Sequence, residues 1–314
     1  MTKPIRIALI GMGKIALDQH VPAIANTSKF ELVAMVSRDG KPTVEDVPCV
    51  SSIEALADSG IELDAVSICT PPQVRHDIAQ FAIEQGWNTM LEKPPGATLA
   101  EVVALRESAE AADVTLFATW HSRYARAVEP ARSWLKGRVL KKAKITWREN
   151  VREWHPGQDW IFEPGGFGVF DPGINALSIA TRIMPRPLFV TNAQLSIPSN
   201  RGAPIAAQVS MRDRDDVPVE MDLNFLQEGP QSWDIEVETD VGLLKLSQGG
   251  AKLSIEGVDD GGEDHALEGE YPGLYNRFAA LVWADVSDVD VSPLRLVADA
   301  FLCGRHSQVE EFHW

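Results

Sequence analysis

Gly11-Met12-Gly13-Lys14-Ile15-Ala16 places two glycines and a small residue at the spacing G-x-G-x-x-A. The first glycine allows a tight turn. The second lets a backbone approach a pyrophosphate, and the small third residue lets a helix pack closely on a strand. A helix that starts there offers unpaired N–H groups and the positive end of its dipole to phosphate. The motif directly follows the apolar run Ile5–Ile10. Gly11, Gly13, Lys14 and Ile15 are therefore read as dinucleotide-binding positions.

The end of the next apolar run, Glu31–Val36, bears on which dinucleotide is used. An NAD-selective site usually carries Asp or Glu at this strand end, accepting from the ribose 2′-OH. Here the chain reads Val36-Ser37-Arg38-Asp39. Ser37 can donate to a 2′-phosphate, and Arg38 can pair with it and stack on adenine. NADP is the expected cofactor. Asp39 can still rotate in, so NAD stays compatible.

Cys69-Thr70-Pro71-Pro72-Gln73 and Glu92-Lys93-Pro94-Pro95 follow the apolar runs Asp64–Cys69 and Asn88–Leu91. Loops at the carboxyl ends of parallel strands carry the site in such sheets. Cys69 to Gln73 fall against the nicotinamide half of a dinucleotide, and Glu92 and Lys93 join them. The prolines stiffen the second loop and fix where Lys93 points. A lysine there can donate to a substrate hydroxyl and stabilise charge that develops on its oxygen.

Short apolar runs without strict alternation (Ile5–Ile10, Glu31–Val36, Asp64–Cys69, Asn88–Leu91, Val114–Ala118) must position these loops. They suit strands buried on both faces. Helical patterns lie between them, at Val74–Gln85 and Leu99–Ala112, which implies a parallel, doubly wound sheet. After a helical stretch, Arg123–Lys136, and a strand, Leu140–Glu149, the pattern changes. Strand follows strand from Thr191 to Ile255 with apolar–polar alternation, as in an antiparallel sheet buried on one face. Gly257–Gly262 reads as a solvated surface turn. Helices over Pro272–Ala284 and Pro293–His306 close the chain. The fold class is α/β: a Rossmann sheet over residues 1–121, then a substrate-binding α/β domain over 122–314 with an open, mostly antiparallel sheet. The final helix, about 293–308, is expected to pack back on the first domain.

The 314 residues carry a formal charge of −16, with 45% hydrophobic residues. That is enough apolar material for a core. So acidic a chain is repelled by phosphate, which argues against nucleic acid and anionic membrane partners. No targeting or membrane-spanning stretch is visible, so the cytoplasm is the expected location. Three cysteines, Cys49, Cys69 and Cys303, are too few and too scattered for a disulfide framework, and each reads as a buried structural residue. The histidines show no metal-ligand spacing, and no metal is expected.

The order G-x-G-x-x-A, Cys69-Thr70-Pro71-Pro72, Glu92-Lys93-Pro94 resembles the glucose–fructose oxidoreductase/inositol dehydrogenase (Gfo/Idh/MocA) family, over nearly the whole chain. More specific motifs are Lys14-Ile15-Ala16-x-Asp18-Gln19-His20, Thr119-Trp120-His121-Ser122-Arg123, Trp154-His155-Pro156-Gly157-Gln158, Phe170-Asp171-Pro172-Gly173-Ile174-Asn175-Ala176-Leu177 and the tail from Asp288 to Phe301. They resemble the family's bacterial sugar 1-dehydrogenases acting on D-galactose and L-arabinose. The resemblance implies oxidation of the anomeric C1 of an aldose to a lactone with NAD(P). It makes Lys93 catalytic. The family's usual Asp-x-x-x-His becomes Asp171-x-x-x-Asn175, and both side chains share a helix face. Asn cannot carry the proton, so the base is Asp171, Lys93 or water relayed between them. Asp171 is preferred, with Asn175 orienting the substrate.

The resemblance also places Glu149 and His155 at substrate-binding positions. Carboxylate and imidazole bond vicinal hydroxyls, and an indole such as Trp154 covers the apolar side of a pyranose. His121 is expected to touch sugar or nicotinamide ribose. L-Arabinose is D-galactose without its C5 hydroxymethyl group, a difference worth only about 1–3 kcal/mol in a pocket, so both are expected to react. Another sugar or a cyclitol is the alternative, and a non-catalytic dinucleotide sensor is a weaker one. An open sheet of this family is compatible with a homodimer.

Overall fold

The computed structural model describes residues 3–260 and 269–314. The chain folds as two compact units, one holding the residues up to His121 with Tyr271–Val291, the other Ser122–Glu270 with Ser292–Trp314.

The first unit is built on a parallel sheet: β1 (Ile5–Ile10), β2 (Phe30–Val36), β3 (Cys49–Val50), β4 (Ala65–Ile68), β5 (Asn88–Leu91) and β6 (Leu116–Ala118). Their order is β3-β2-β1-β4-β5-β6. All four residues of β4 and five of the six in β1 are buried, which is why these strands read as apolar runs. Helices α1 (Val21–Ala25), α2 (Ile53–Asp58), α3 (Arg75–Glu84) and α4 (Leu99–Ala112) connect them. Strand order reverses between β1 and β4, where doubly wound sheets hold ligands beyond the strands' carboxyl ends. Sequence reading missed β3 and α2. β3 has only two residues, and α2 is a short helix whose N-cap Ser52 accepts from the Ala55 N–H at 3.2 Å.

The second unit contains α5 (Val128–Leu135), β7 (Leu140–Arg148), α6 (Val151–Trp154), α7 (Phe170–Ile183) and β8 (Phe189–Pro198). Then come β9 (Ala206–Arg212), β10 (Pro218–Asn224), β11 (Ser232–Thr239), β12 (Gly242–Ser247), β13 (Lys252–Ile255) and β14 (Val258–Asp259). Buried and exposed residues alternate along β9 and β10. Two pairs, β7 with β10 and a final strand with β8, are parallel, and the rest are antiparallel. Of the expected turn at 257–262, Val258 and Asp259 form β14, and residues 261–262 lie outside the described residues.

Two helices close the chain and go to different units. Helix α8 (Glu270–Ala284) joins the first, where Phe278 stacks on Phe30 and Phe117 with centroids 5.9 and 6.2 Å away. Asp288 then pairs with β6: its N–H donates to Leu116 O, and its carbonyl accepts from the Ala118 N–H, both at 3.0 Å. Helix α9 (Ser292–Cys303) belongs to the second unit and packs on β8 and α7. The chain ends in β15 (Gly304–Val309), beside β8. The expected return of 293–308 to the first unit is therefore corrected: residues 271–291 return. The burial pattern of each helix fits a partner, and only the tertiary aromatic contacts of α8 select which. The cysteines also differ from expectation. Cys49 and Cys69 are half-buried, and Cys303 is exposed beyond Ala300, the last buried position of α9. No helix among the described residues is long and apolar enough to cross a membrane.

Candidate active site

In the first unit the predicted residues gather along the carboxyl edge of the sheet. Gly11 follows β1 with φ 91°, and its N–H donates to Val36 O at 2.9 Å. A Cβ there would lie 2.9 Å from Thr70 Cγ2 and 3.0 Å from Thr70 N, so only glycine fits. Gly13 is the opposite case: nothing lies within 4 Å of where its Cβ would be. The helix that follows has a π-turn at Ala16–His20. Lys14 and Ile15 are exposed at its start, and Lys14 pairs with Asp18.

Ser37 Oγ donates to Asp39 Oδ1 at 2.8 Å, and the Lys41 N–H donates to the same oxygen at 3.2 Å. The Ser37 bond, helped by Lys41, holds the Asp39 carboxyl below its usual range. Arg38 is exposed beside them. Cys69 is tied to β1 by its N–H, which donates to Ile10 O at 2.8 Å. Arg75, which sequence reading missed, is buried and donates to the carbonyls of Thr70, Glu92 and Pro94. One guanidinium thus ties the Cys69–Gln73 loop to the Lys93 turn, where Lys93-Pro94 is cis.

Glu92 is 3% exposed. Its Oε2 accepts from the Lys93 N–H at 2.6 Å, and its Oε1 accepts from Tyr271 Oη at 2.8 Å. His20 Nε2 lies 3.2 Å from Oε1. Burial opposes ionisation of Glu92, yet the His20 bond, with the electrostatic influence of His20 and the groups around it, holds its carboxyl well below the carboxylate range. His121 stacks on Tyr271 with centroids 5.4 Å apart.

In the second unit Glu149 and His155 flank α6. Glu149 is buried, and its Oε1 lies 3.1 Å from His155 Nε2. Its Oε2 accepts from the Trp233 indole at 2.9 Å. Trp233 was not among the predicted residues. Trp154, 38% exposed, meets it edge-on with centroids 5.0 Å apart. Asn150 caps α6, its Oδ1 accepting from the Arg152 N–H at 3.0 Å. Asp171 and Asn175 lie one turn apart on α7, Asp171 buried and Asn175 half-buried. Val169 is the N-cap, so Asp171 sits inside the first turn rather than capping it. Gly173 brings this turn onto β10: a Cβ there would come within 2.7 Å of Leu223 Cδ1. Among the described residues no group of three or more His, Cys, Asp or Glu could hold a metal ion.

Residues 5–119 match the Gfo/Idh/MocA family profile, described as an oxidoreductase family with an NAD-binding Rossmann fold. The chain is 45% identical over 313 residues to a galactose 1-dehydrogenase of Pseudomonas fluorescens, spanning 99% of both chains. It belongs to the Gfo/Idh/MocA family. Like the rest of that family it is an oxidoreductase enzyme. The crystal structure of a D-galactose-1-dehydrogenase from Rhizobium etli superposes with a TM-score of 0.94, at 52% identity, covering 100% of this chain and 99% of that one. A 3-ketoreductase variant from Actinomadura kijaniata, crystallised with NADP, shares the fold, with a TM-score of 0.84 at 17% identity over 98% of this chain and 99% of that one.

The first unit of this Gfo/Idh/MocA chain fits a nicotinamide dinucleotide on its own geometry. Open space faces Gly13 at the start of the first helix, where a pyrophosphate needs close backbone. The hydroxyls Thr70 Oγ1 and Thr119 Oγ1, past the ends of β4 and β6, are buried without a hydrogen-bond partner. Such orphaned groups are rare in a finished interior and suit a polar ligand.

Proposed function

We propose that this enzyme is an aldose 1-dehydrogenase that oxidises the anomeric carbon of D-galactose, and of L-arabinose, to the lactone. The observation that carries the reading is the 45% identity to a galactose 1-dehydrogenase across nearly all of both chains. Lys93, Asp171 and Asn175 stand at the positions that the family resemblance makes functional, which supports it.

NADP is the preferred cofactor in this reading, with NAD also used. When bound it supplies the hydride acceptor for C1. Gly11, Gly13, Lys14 and Ile15 take its pyrophosphate, Ser37 and Arg38 the 2′-phosphate, and Cys69 to Gln73 with Glu92 the nicotinamide side. Lys93 donates to the C1 oxygen and stabilises the charge that develops there. Asp171 takes the proton from the C1 hydroxyl, and Asn175 orients that hydroxyl. His155, held by Glu149, bonds ring hydroxyls, His121 adds a further contact, and Trp154 offers an aromatic face.

D-Glucose is a poor substrate in this reading, because its C4 hydroxyl points the other way and leaves a buried site group unpaired. The test is a grid of initial rates, followed by reduced-nicotinamide absorbance. NADP and NAD are each paired with D-galactose, L-arabinose, D-glucose and myo-inositol. Turnover of galactose and arabinose with little on glucose or inositol is expected. Silence with galactose and arabinose would overturn the substrate assignment.

A further inference from the structure

We propose that His20 is a positioning residue for Lys93, buried beneath the Glu92-Lys93 turn where it holds the Glu92 carboxylate in place to accept from the Lys93 main-chain N–H. The inference rests on the reading of Lys93 as the residue that polarises the substrate oxygen.

His20 is 0% exposed, and both of its ring nitrogens are engaged. Nδ1 lies 2.8 Å from Tyr275 Oη and 3.3 Å from Ser67 Oγ, and Nε2 lies 3.2 Å from Glu92 Oε1. The rings of Tyr271 and Tyr275 meet the imidazole edge-on, with centroids 4.9 and 5.8 Å away. A continuous path of bonds therefore runs from α8 through Tyr275, His20 and Glu92 to the Lys93 backbone.

Burying an ion pair of this kind adds little stability over a well-packed apolar cluster, but it fixes orientation. Its location argues for the second use. Glu92 is reached by His20 behind the phosphate loop, Tyr271 on α8, His121 past β6 and Lys93 beside it. His20 is reached by Ser67 and Cys69 at the end of β4 and by Tyr275. Burial alone would push the imidazole down. The bond to the Glu92 carboxylate, the neighbour that is ionised at working pH, works against burial, and the imidazole is held above its ordinary value. Burial carries the Tyr275 phenol up to about 12, so it stays a neutral hydroxyl at working pH.

Removing the imidazole leaves burial acting on Glu92 without its main counterweight, so that carboxyl must rise in pKa. Once protonated, it loses the charge-assisted bond from the Lys93 N–H. The wild-type turn should be insensitive to pH where a variant without His20 loosens as pH falls.

The test uses the whole enzyme and the variants His20→Gln and Tyr275→Phe. Selective 15N-lysine labelling, with the Lys93 amide assigned through Lys93→Arg, reports the turn without any sugar. The wild-type amide shift should stay flat from about pH 5 to about pH 9, while that of His20→Gln should titrate within this window. With galactose and NADP, kcat of His20→Gln should fall about tenfold or more and its pH profile should gain a new acidic limb, with the Kd for NADPH within about twofold. Tyr275→Phe removes a single hydroxyl and should shift kcat in the same direction by about threefold. It keeps the proposal testable where His20→Gln fails to fold. A flat amide shift in His20→Gln, or kcat within about twofold of wild type in the folded variants, would overturn it. If galactose is not a substrate, the amide titration still decides the role of His20.

Discussion

Buried Glu149 and half-buried His155 form a hydrogen-bonded pair, Oε1 to Nε2 at 3.1 Å, and the other carboxylate oxygen is taken by Trp233. Both carboxylate oxygens of Glu149 thus have protein partners, and in the proposed function Glu149 acts on the sugar through His155 and the Trp154–Trp233 pair. Glu149→Gln keeps the shape but leaves one partner facing an amide NH₂ instead of an oxygen. The expected result is a KM for galactose raised about tenfold with the Kd for NADPH unchanged, read from initial rates and fluorescence titration. Glu149→Ala should also destabilise the protein by about 1–3 kcal/mol in urea unfolding, since the half-buried Trp233 indole N–H loses its acceptor and the buried carboxylate leaves a gap.

Arg38 is exposed beside a carboxylate that Ser37 already holds. Arg38→Ala should raise KM for NADP by about tenfold or more and leave KM for NAD within about twofold. The NADP penalty should shrink as salt rises, because an exposed phosphate contact is screened. Equal effects on both cofactors would mean that Arg38 does not read the 2′-phosphate.

Lys93 and Asp171 are assigned to the proton and charge chemistry. Lys93→Ala should lower kcat by at least about a thousandfold while NADPH still quenches or shifts fluorescence with nearly wild-type Kd. Asp171→Asn, nearly isosteric, should lower kcat by about a hundredfold or more with little change in stability. Near wild-type rates for Asp171→Asn would move the base to Lys93 or to water.

The first unit was legible because its signals are local. Gly11, Ser37, Thr70 and Lys93 each follow an apolar run by one or two residues, and a parallel sheet lines such loops up along one edge. What escaped is non-local. His20 meets Tyr275 across 255 positions and Trp233 meets Glu149 across 84, and neither partner carries a motif of its own. Arg75 sits in an ordinary helical pattern, and nothing in its type tells that its guanidinium is buried under two loops. The destination of the last two helices turned on Phe278 stacking against Phe30 and Phe117, a packing choice made only in three dimensions.

The placement of Asp171 depends on how closely α7 sits on the sheet, and Gly173 sets that distance. A methyl group there would be 2.7 Å from Leu223 Cδ1 and 3.1 Å from Cδ2, too close for either rotor to stay. Gly173→Ala should therefore push the first turn of α7 away from β10, although alanine itself is the better helix former. Overpacking of this kind costs about 1–3 kcal/mol, outweighing the propensity gain of about 1 kcal/mol. Because Asp171 and Asn175 ride on the same turn, kcat should fall along with stability. Leu223→Val opens space against the same methyl, so the double variant should recover part of both losses relative to Gly173→Ala alone. Additive losses in urea unfolding and in kcat would show that the helix is seated by other contacts.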